Sequence, residues 1–342
     1  MTMADRQPLS AAALTRRLAL LAAVLGACVL VAVALGAGDV PLAGLLGRVP
    51  LDDVDRLILF RVRVPRVLLA GVLGGALTVA GVTFQALLRN PLADPYVLGV
   101  SGGASIGGVI ALMLGLGGAL GGIGVPALAF AGALGALLLI EWVATVGGRL
   151  TVYTVLLTGA IFNAFSAALI YFLQSVASLR ELHAIVFYLM GRIPSPGPVA
   201  LCGTAAAVFA IVGAIWLMSR DYNALSLGEE GAMHVGVEVE RLKRRTLILG
   251  SLLTGLAVAV AGLIGFVGLV VPHVLRIVLG PDHRLLVPAG FLGGAAFLVL
   301  ADCLSRVVIA PTEIPVGVVT ALVGGPFFLY LMRRSRGRHG FH

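Results

Sequence analysis

The stretch of sequence that decides the fold is Arg89-Asn90-Pro91-Leu92-Ala93-Asp94-Pro95-Tyr96-Val97-Leu98-Gly99-Val100-Ser101-Gly102-Gly103. It ends one long apolar run with a charged loop and enters the next run through glycines and a serine. Pro91 and Pro95 each lack a backbone N–H donor and move the preceding residue out of the helical region. In a bilayer, irregular backbone is tolerated only where it is buried in protein or lines a wet cavity. The stretch therefore predicts a point at which a solute crosses a membrane.

The composition of the chain predicts a membrane protein. Hydrophobic residues make up 59% of the 342 residues, charged residues only 12%, and the mean hydropathy is +1.07. Soluble domains are roughly 45–50% apolar and about 25% charged. Because a helix needs roughly 20 apolar residues to cross a bilayer, we predict an all-α polytopic membrane protein with about ten transmembrane helices. The predicted spans are 18–36, 66–88, 96–114, 124–146, 151–175, 198–218, 246–264, 266–280, 285–305 and 314–332, with a short surface helix at about 178–191.

The distribution of charge predicts how this single transmembrane domain, residues 1–342, is oriented. Lysine and arginine are about twice as frequent in the loops on one side, and the positive-inside rule assigns that side to the cytoplasm. Both termini then lie there, and two halves of five spans have opposite orientations, which predicts an inverted repeat. The net charge of +8 reflects this loop bias and does not indicate a nucleic-acid partner. The predicted parts are a membrane region at 18–332, a cytoplasmic loop at 220–245 and cytoplasmic tails at 1–17 and 333–342.

The cytoplasmic loop 220–245 has a pattern of its own. We predict two short helices hinged near Gly236, because glycine is favoured just past a helix end. The second would begin with Glu238 and Glu240 and end in a basic cluster. That order complements the helix dipole and predicts that membrane lipid, through its anionic headgroups, anchors the basic end. The pattern fits either an ordinary solvated loop or a docking element for a cytoplasmic partner.

Several ordered motifs over about residues 55–332 resemble the iron-chelate and vitamin B12 permease family of ABC importers. Those motifs are Arg63-Val64-Pro65-Arg66, residues 85–95, Gly99-Val100-Ser101-Gly102-Gly103-Ala104, Gly228-Glu229-Glu230, residues 265–273 and residues 314–320. The resemblance implies the permease of a type II importer: two copies of this chain, two cytoplasmic ATPase subunits that hold ATP-Mg, and an external substrate-binding protein. This chain would itself bind no cofactor and no metal.

The resemblance also implies roles for individual residues. Arg63, Arg66 and Arg306 match positions that dock with acidic residues of the binding protein. Interfacial snorkelling of Arg63 and Arg66 and an i,i+4 pair between Arg306 and Asp302 are the alternatives. The predicted ATPase-coupling residues are Gly228, Glu229, Glu230, Ala232, His234 and Gly236, and the predicted gate or pathway residues are Asn90, Leu92, Val152, Tyr153 and Ser101.

The sequence shows no phosphate-binding loop for ATP. Its only lysine, Lys243, follows Leu242, so the Gly-Lys-Ser/Thr element of a phosphate-binding loop is missing. We therefore predict a transport subunit that is not an enzyme and depends on a separate ATPase.

Two other functions are compatible with the sequence. One is an ATP-independent secondary transporter, for which Glu141 would be the intramembrane carboxylate, although we expect it to snorkel or pair with Arg149. The other is an intramembrane serine protease, since Gly99-Val100-Ser101-Gly102-Gly103 matches G-x-S-x-G. A serine nucleophile needs a base within hydrogen-bond reach, and the surrounding sequence offers no good one.

The cargo is the least determined property. Ferric siderophore is the predicted cargo, and haem and cobalamin are the alternatives. His183, on the predicted external short helix, is a candidate contact for an iron chelate. The predicted location is the bacterial inner membrane.

Overall fold

A computed structural model describes residues 11–36, 52–118 and 122–336 of the chain. A π-helical turn, Ile58–Arg63, leads into the helix Val64–Leu87, and a 3₁₀ turn, Pro95–Leu98, precedes the helix Val100–Met113. The helices are α1 (Ala11–Ala34), α2 (Asp53–Leu57), α3 (Val64–Leu87), α4 (Val100–Met113), α5 (Gly124–Ala144), α6 (Val152–Val176), α7 (Leu179–Leu189), α8 (Pro198–Leu217), α9 (Ser219–Leu225), α10 (Glu229–His234), α11 (Val239–Ala261), α12 (Val267–Leu279), α13 (His283–Val307) and α14 (Val316–Arg336).

The predicted all-α membrane fold is confirmed. Among the described residues, seven helices are long and apolar enough to cross a membrane, and α4, α12 and α14 are shorter apolar helices. Together these match the ten predicted spans, and α7 matches the predicted surface helix. One short antiparallel hairpin, β1 (Thr145–Val146) and β2 (Arg149–Leu150), joins α5 to α6. Its two turn residues are glycines with φ of +58° and +80°, the left-handed pair that tight hairpins favour.

One predicted element was wrong. The second short helix expected after Gly236 does not exist as a separate unit. Its residues form the first turns of α11, which begins at Val239 and continues to Ala261. The acidic start and the basic cluster therefore extend a membrane span out of the bilayer, so a movement at this end is carried by a rigid helix.

Close approach of glycines holds the helices together. The Cα of Gly74 in α3 lies so near the backbone of Gly294 in α13 that a Cβ would collide with it. Gly103 in α4 meets Gly132 in α5 in the same way. Lipid supplies little hydrophobic drive for helix association, so small residues that let backbones touch are the usual solution. α3 is buried along most of its length and forms the centre of the packing.

The two halves of the chain repeat one order of elements. In each half a long helix is followed by a residue in the left-handed region, then a short helix, then a long one. Those residues are Gly99, with φ of +88°, before α4 and Phe266, with φ of +67°, before α12. The two breaks meet through the Tyr96 hydroxyl, which donates to the Ile264 carbonyl at 3.0 Å and accepts from the Ile264 amide at 2.9 Å.

Candidate functional site

The loop 220–245 is packed against the membrane helices. Tyr222 in α9 is fully buried, and its hydroxyl lies 3.0 Å from the Thr246 hydroxyl of α11. Leu225 and Ala232 are also buried and belong to the main hydrophobic core. A freely solvated loop would bury none of these side chains. The loop is therefore a firmly seated element that presents α10 at the surface.

The structure brings the predicted coupling residues together around α10. Gly228 has a φ of +102° at its start and Gly236 a φ of +86° beyond its end, conformations that only glycine adopts at low cost. Glu230 and His234 are exposed and lie one turn apart on the same face of the helix. These two side chains are available to a partner, and their role in coupling stays a prediction.

An open cleft of about 920 Å³ separates α10 from the β1–β2 hairpin and the first turns of α6 and α11. We call it the coupling cleft. It brings the predicted coupling residue Glu229 onto the same surface as the predicted gate residues Val152 and Tyr153, and the Tyr153 side chain is 73% exposed. Its lining is formed by residues 148–153, Glu229, Met233, residues 237–241, Lys243 and Arg244.

A charged network crosses the base of the coupling cleft. Lys243 Nζ lies 2.6 Å from Glu229 Oε2 of α10 and 3.1 Å from Glu240 Oε1 of its own helix. The other oxygen of Glu240 accepts a hydrogen bond from the Leu150 amide of the hairpin at 2.8 Å. Lys243 is only 5% exposed, so its charge depends on these two carboxylates. The network joins α10 to the strand that leads directly into α6.

Sequence reasoning missed Lys243 as a site residue. In the sequence, Lys243 showed only that the chain lacks the Gly-Lys-Ser/Thr element of a phosphate-binding loop. Two signals were present: it is the only lysine in the chain, and Glu240 stands three residues before it. Its contact with Glu229, which lies fourteen residues away, depends on how α10 folds back and could not be read from spacing.

The expected partner of Glu141 was wrong. Its carboxylate pairs with Arg244 of α11 at 3.0 Å rather than with Arg149. Glu141 is therefore not the isolated intramembrane carboxylate that the secondary-transporter alternative invoked.

The remaining predicted pathway residues lie outside the coupling cleft. Asn90 is exposed, and its side-chain oxygen accepts from the Leu92 amide at 2.9 Å, so both belong to a tight turn after α3. Ser101 is 4% exposed and its hydroxyl donates to the Tyr96 carbonyl at 3.4 Å. This hydroxyl donates to a backbone carbonyl rather than to a base, and the packing role fits Ser101 better than that of a nucleophile.

The three predicted docking arginines lie inside the protein. Arg63, Arg66 and Arg306 are 5%, 6% and 4% exposed. Asp302, fully buried, pairs with Arg66 Nε at 2.9 Å and with Arg306 Nε at 3.0 Å, so the alternative i,i+4 pair is present. A surface patch of free guanidinium groups is not what this conformation presents, and docking at these residues stays a prediction.

Further contacts join Arg306 to the end of α1 and Arg66 to Glu313. Arg306 donates to the carbonyls of Ala32 at 2.9 Å and Leu35 at 3.0 Å. Arg66 Nη1 lies 2.9 Å from Glu313 Oε2, and the Glu313 side chain is 33% exposed. Glu313 is therefore the member of the network that solvent, or a partner, can reach.

A polytopic helical bundle with two broken repeats and a seated loop on one side has the architecture of a transmembrane permease. The chain belongs to the FecCD transport family, whose model matches residues 16–334. Permeases of this kind are the membrane subunits of ABC transporters, as the following relatives show.

Three relatives named as permeases match this chain over most of their length. The chain is 42% identical over 299 residues to the uncharacterized ABC transporter permease protein YvrB of Bacillus subtilis, covering 84% of this chain and 82% of that protein. It is 40% identical over 283 residues to the cobalamin import system permease protein BtuC of Halobacterium salinarum, covering 82% and 74%. It is 38% identical over 281 residues to the hemin transport system permease protein HmuU of Yersinia pestis, covering 82% and 84%.

A solved structure has the same fold. It is an inward-facing ABC transporter thought to be of the metal-chelate type, with a TM-score of 0.83 and 30% sequence identity. The match covers 94% of this chain and 99% of that one.

Proposed function

We propose that this permease carries a metal chelate inward across the bacterial inner membrane, with ferric siderophore as its cargo. Haem and cobalamin are the alternatives, and relatives named for hemin and cobalamin transport support the wider class. The chain acts as one of two copies around a central path, with two cytoplasmic ATPase subunits and an external binding protein. Both of its termini lie in the cytoplasm.

The observation that carries the ATP-driven mechanism is the link between α10 and α6. An ATPase that moves α10 displaces Glu229, and the buried Lys243 follows because its charge has few other partners. Glu240 moves with Lys243 on α11 and pulls the Leu150 amide, so the hairpin shifts the first turn of α6, where Val152 and Tyr153 lie. The force reaches the inner end of the path through short contacts of 2.6–3.1 Å, and the permease makes or breaks no covalent bond.

The test is transport by the complete complex in liposomes. The permease is co-expressed with its ATPase subunit and supplied outside with its binding protein loaded with a siderophore, haem or cobalamin in turn. We expect ATP hydrolysis and uptake to rise with the siderophore. A response to haem or cobalamin instead would overturn only the predicted cargo. Failure of any ATPase to assemble with the chain would overturn the ATP-driven mechanism.

Replacing Glu313 by glutamine should tighten docking of the binding protein. The Glu313 carboxylate already pairs with Arg66 Nη1 at the solvent-exposed edge of the network. It therefore competes for Arg66 with any carboxylate of the binding protein. Removing one competing charge at a partly exposed site should lower the Kd by about fivefold. The measurement is binding of the loaded binding protein to the permease in nanodiscs. Asp53→Asn, which removes an exposed acid on the same side, is the control and should leave the Kd unchanged. A Kd that stays the same in Glu313→Gln would contradict docking at Arg66.

A further inference from the structure

A second cleft, of about 270 Å³, lies where the turn after α3 meets α9 and the α12–α13 connection. We call it the arginine cleft. Its lining includes Gln85, Arg89, Arg276 and His283 and contains no acidic side chain among the described residues. Nothing in the coupling mechanism uses it.

The two arginines of this cleft lack carboxylate partners. Within the described part of the chain, neither Arg89 nor Arg276 forms an ion pair, and one terminal nitrogen of Arg276 is buried without any hydrogen-bond partner. The nearby Asp282 already accepts hydrogen bonds from Arg284 and Asn223. These bonds lower its pKa to about 2. A buried polar atom without a protein partner is satisfied when a water, an ion or a ligand supplies the hydrogen bond. Two unpaired guanidinium groups at one cleft indicate an anion.

Two hydrogen-bond acceptors of the cleft are also unused. His283 is 94% buried, as its 6% exposure shows, and Nε2 has no partner. Its Nδ1 lies 2.8 Å from Asn223 Oδ1, which can only accept, so Nδ1 carries the proton and Nε2 presents a lone pair. Gln85 Oε1 is likewise buried and unpaired, while Gln85 Nε2 donates to backbone carbonyls. A ligand that satisfies these groups therefore has hydrogen-bond donors as well as negative charge.

The cleft lies at the depth of the lipid headgroups. Trp216, at the end of α8, is 49% exposed and donates from Nε1 to the carbonyl of Arg284 at 3.1 Å. Tryptophan concentrates at the membrane–water interface, so Arg284 and its neighbour His283 sit at that level. Ile277 and Val278, which follow Arg276, are 64% and 69% exposed, as expected of residues that face acyl chains.

We propose that the arginine cleft binds the headgroup of an anionic phospholipid that carries hydroxyl groups, of the phosphatidylglycerol type. The phosphate contacts Arg89 and Arg276, and the glycerol hydroxyls donate to His283 Nε2 and Gln85 Oε1. Basic pockets between membrane helices on the cytoplasmic side are suited to such headgroups. A side-chain carbon on Gly228 would lie 3.7 Å from the Arg89 guanidinium, so the bound lipid sits beside the start of the coupling helix.

Native mass spectrometry of the full-length permease tests this inference. The purified protein is offered phosphatidylglycerol, phosphatidylmethanol and phosphatidylcholine in turn. We expect retention of phosphatidylglycerol to exceed that of phosphatidylcholine by about tenfold, and Arg89→Gln plus Arg276→Gln to abolish that preference. Arg220→Gln removes an exposed arginine of α9 outside the cleft and should keep it. An equal loss in Arg220→Gln would reduce the effect to general attraction of charge and overturn the proposal.

Two further comparisons identify the ligand group. Phosphatidylmethanol has the same charge as phosphatidylglycerol but no headgroup hydroxyl, so it should bind the parent protein several-fold less well than phosphatidylglycerol does. That difference should shrink in His283→Ala, which leaves Gln85 Oε1 as the acceptor. Equal binding of both lipids to the parent would overturn the role of the hydroxyls. Free glycerol 1-phosphate is added as a competitor. Binding of glycerol 1-phosphate itself, without any retention of phosphatidylglycerol, would show a soluble ligand and overturn the lipid assignment.

Discussion

Lys243→Met should leave a folded permease whose partner ATPase still hydrolyses ATP but no longer drives transport efficiently. The methionine keeps an unbranched side chain, one heavy atom shorter, and removes the charge that joins Glu229 to Glu240. Both carboxylates are partly exposed, at 38% and 43%, so water can solvate them once the lysine is gone. A lost coupling free energy of roughly 1–3 kcal/mol should reduce cargo moved per ATP by about tenfold. The measurement is uptake and hydrolysis in the same liposomes.

Arg241→Met is the matched control for this prediction. It removes a cation from the same turn of α11, where Arg241 pairs with Glu238 at 2.7 Å while both side chains are more than half exposed. Exposed pairs contribute little, so coupling should be unchanged. Glu240→Ala separates the two links, since it frees the Leu150 amide and leaves Lys243 on Glu229. If Lys243→Met transports as well as the parent, the network does not transmit the movement of α10.

How far the sequence could predict this molecule depends on the range of the interactions. Spans such as 198–218 were predictable because apolar length and flanking signals are local, and α8 occupies 198–217. The start of α11 at Val239 was not, because composition marks the edge of the bilayer and the helix continues beyond it. A span boundary and a helix boundary are different physical quantities.

The site residues divide in the same way. Gly236 could be placed at a turn from the sequence, since glycine is favoured in the left-handed conformation just past a helix end. The pairing of Arg66 with Asp302, across 236 residues, left no mark in the sequence, and neither did the pairing of Glu141 with Arg244. Charge clusters can be found in a sequence, but whether a given arginine faces solvent or a carboxylate is decided by tertiary packing.

Asp302→Ala should destabilise the permease more than Glu240→Ala or Glu313→Gln does. Asp302 is fully buried and accepts from Arg66 and Arg306 at once. Removing one partner of a buried ion pair costs roughly 3–5 kcal/mol, because a charge is left without compensation. Arg66 keeps Glu313 and Arg306 keeps two carbonyls, so the loss should fall at the lower end of that range. The expected result is a fall in apparent Tm on the order of 5 °C in detergent.

Asp302→Asn and Asp53→Asn complete the test of this network. The first keeps the shape of the side chain without its charge and should fall between the parent and the alanine variant, whereas the second alters an exposed acid and should match the parent. The outcome also bears on docking, because Arg66→Glu would damage the same network and could abolish transport by unfolding alone. An unchanged Tm in Asp302→Ala would mean that solvent already compensates Arg66 and Arg306. Those guanidinium groups would then be open to a carboxylate of the binding protein, and their primary role would be recognition rather than stability.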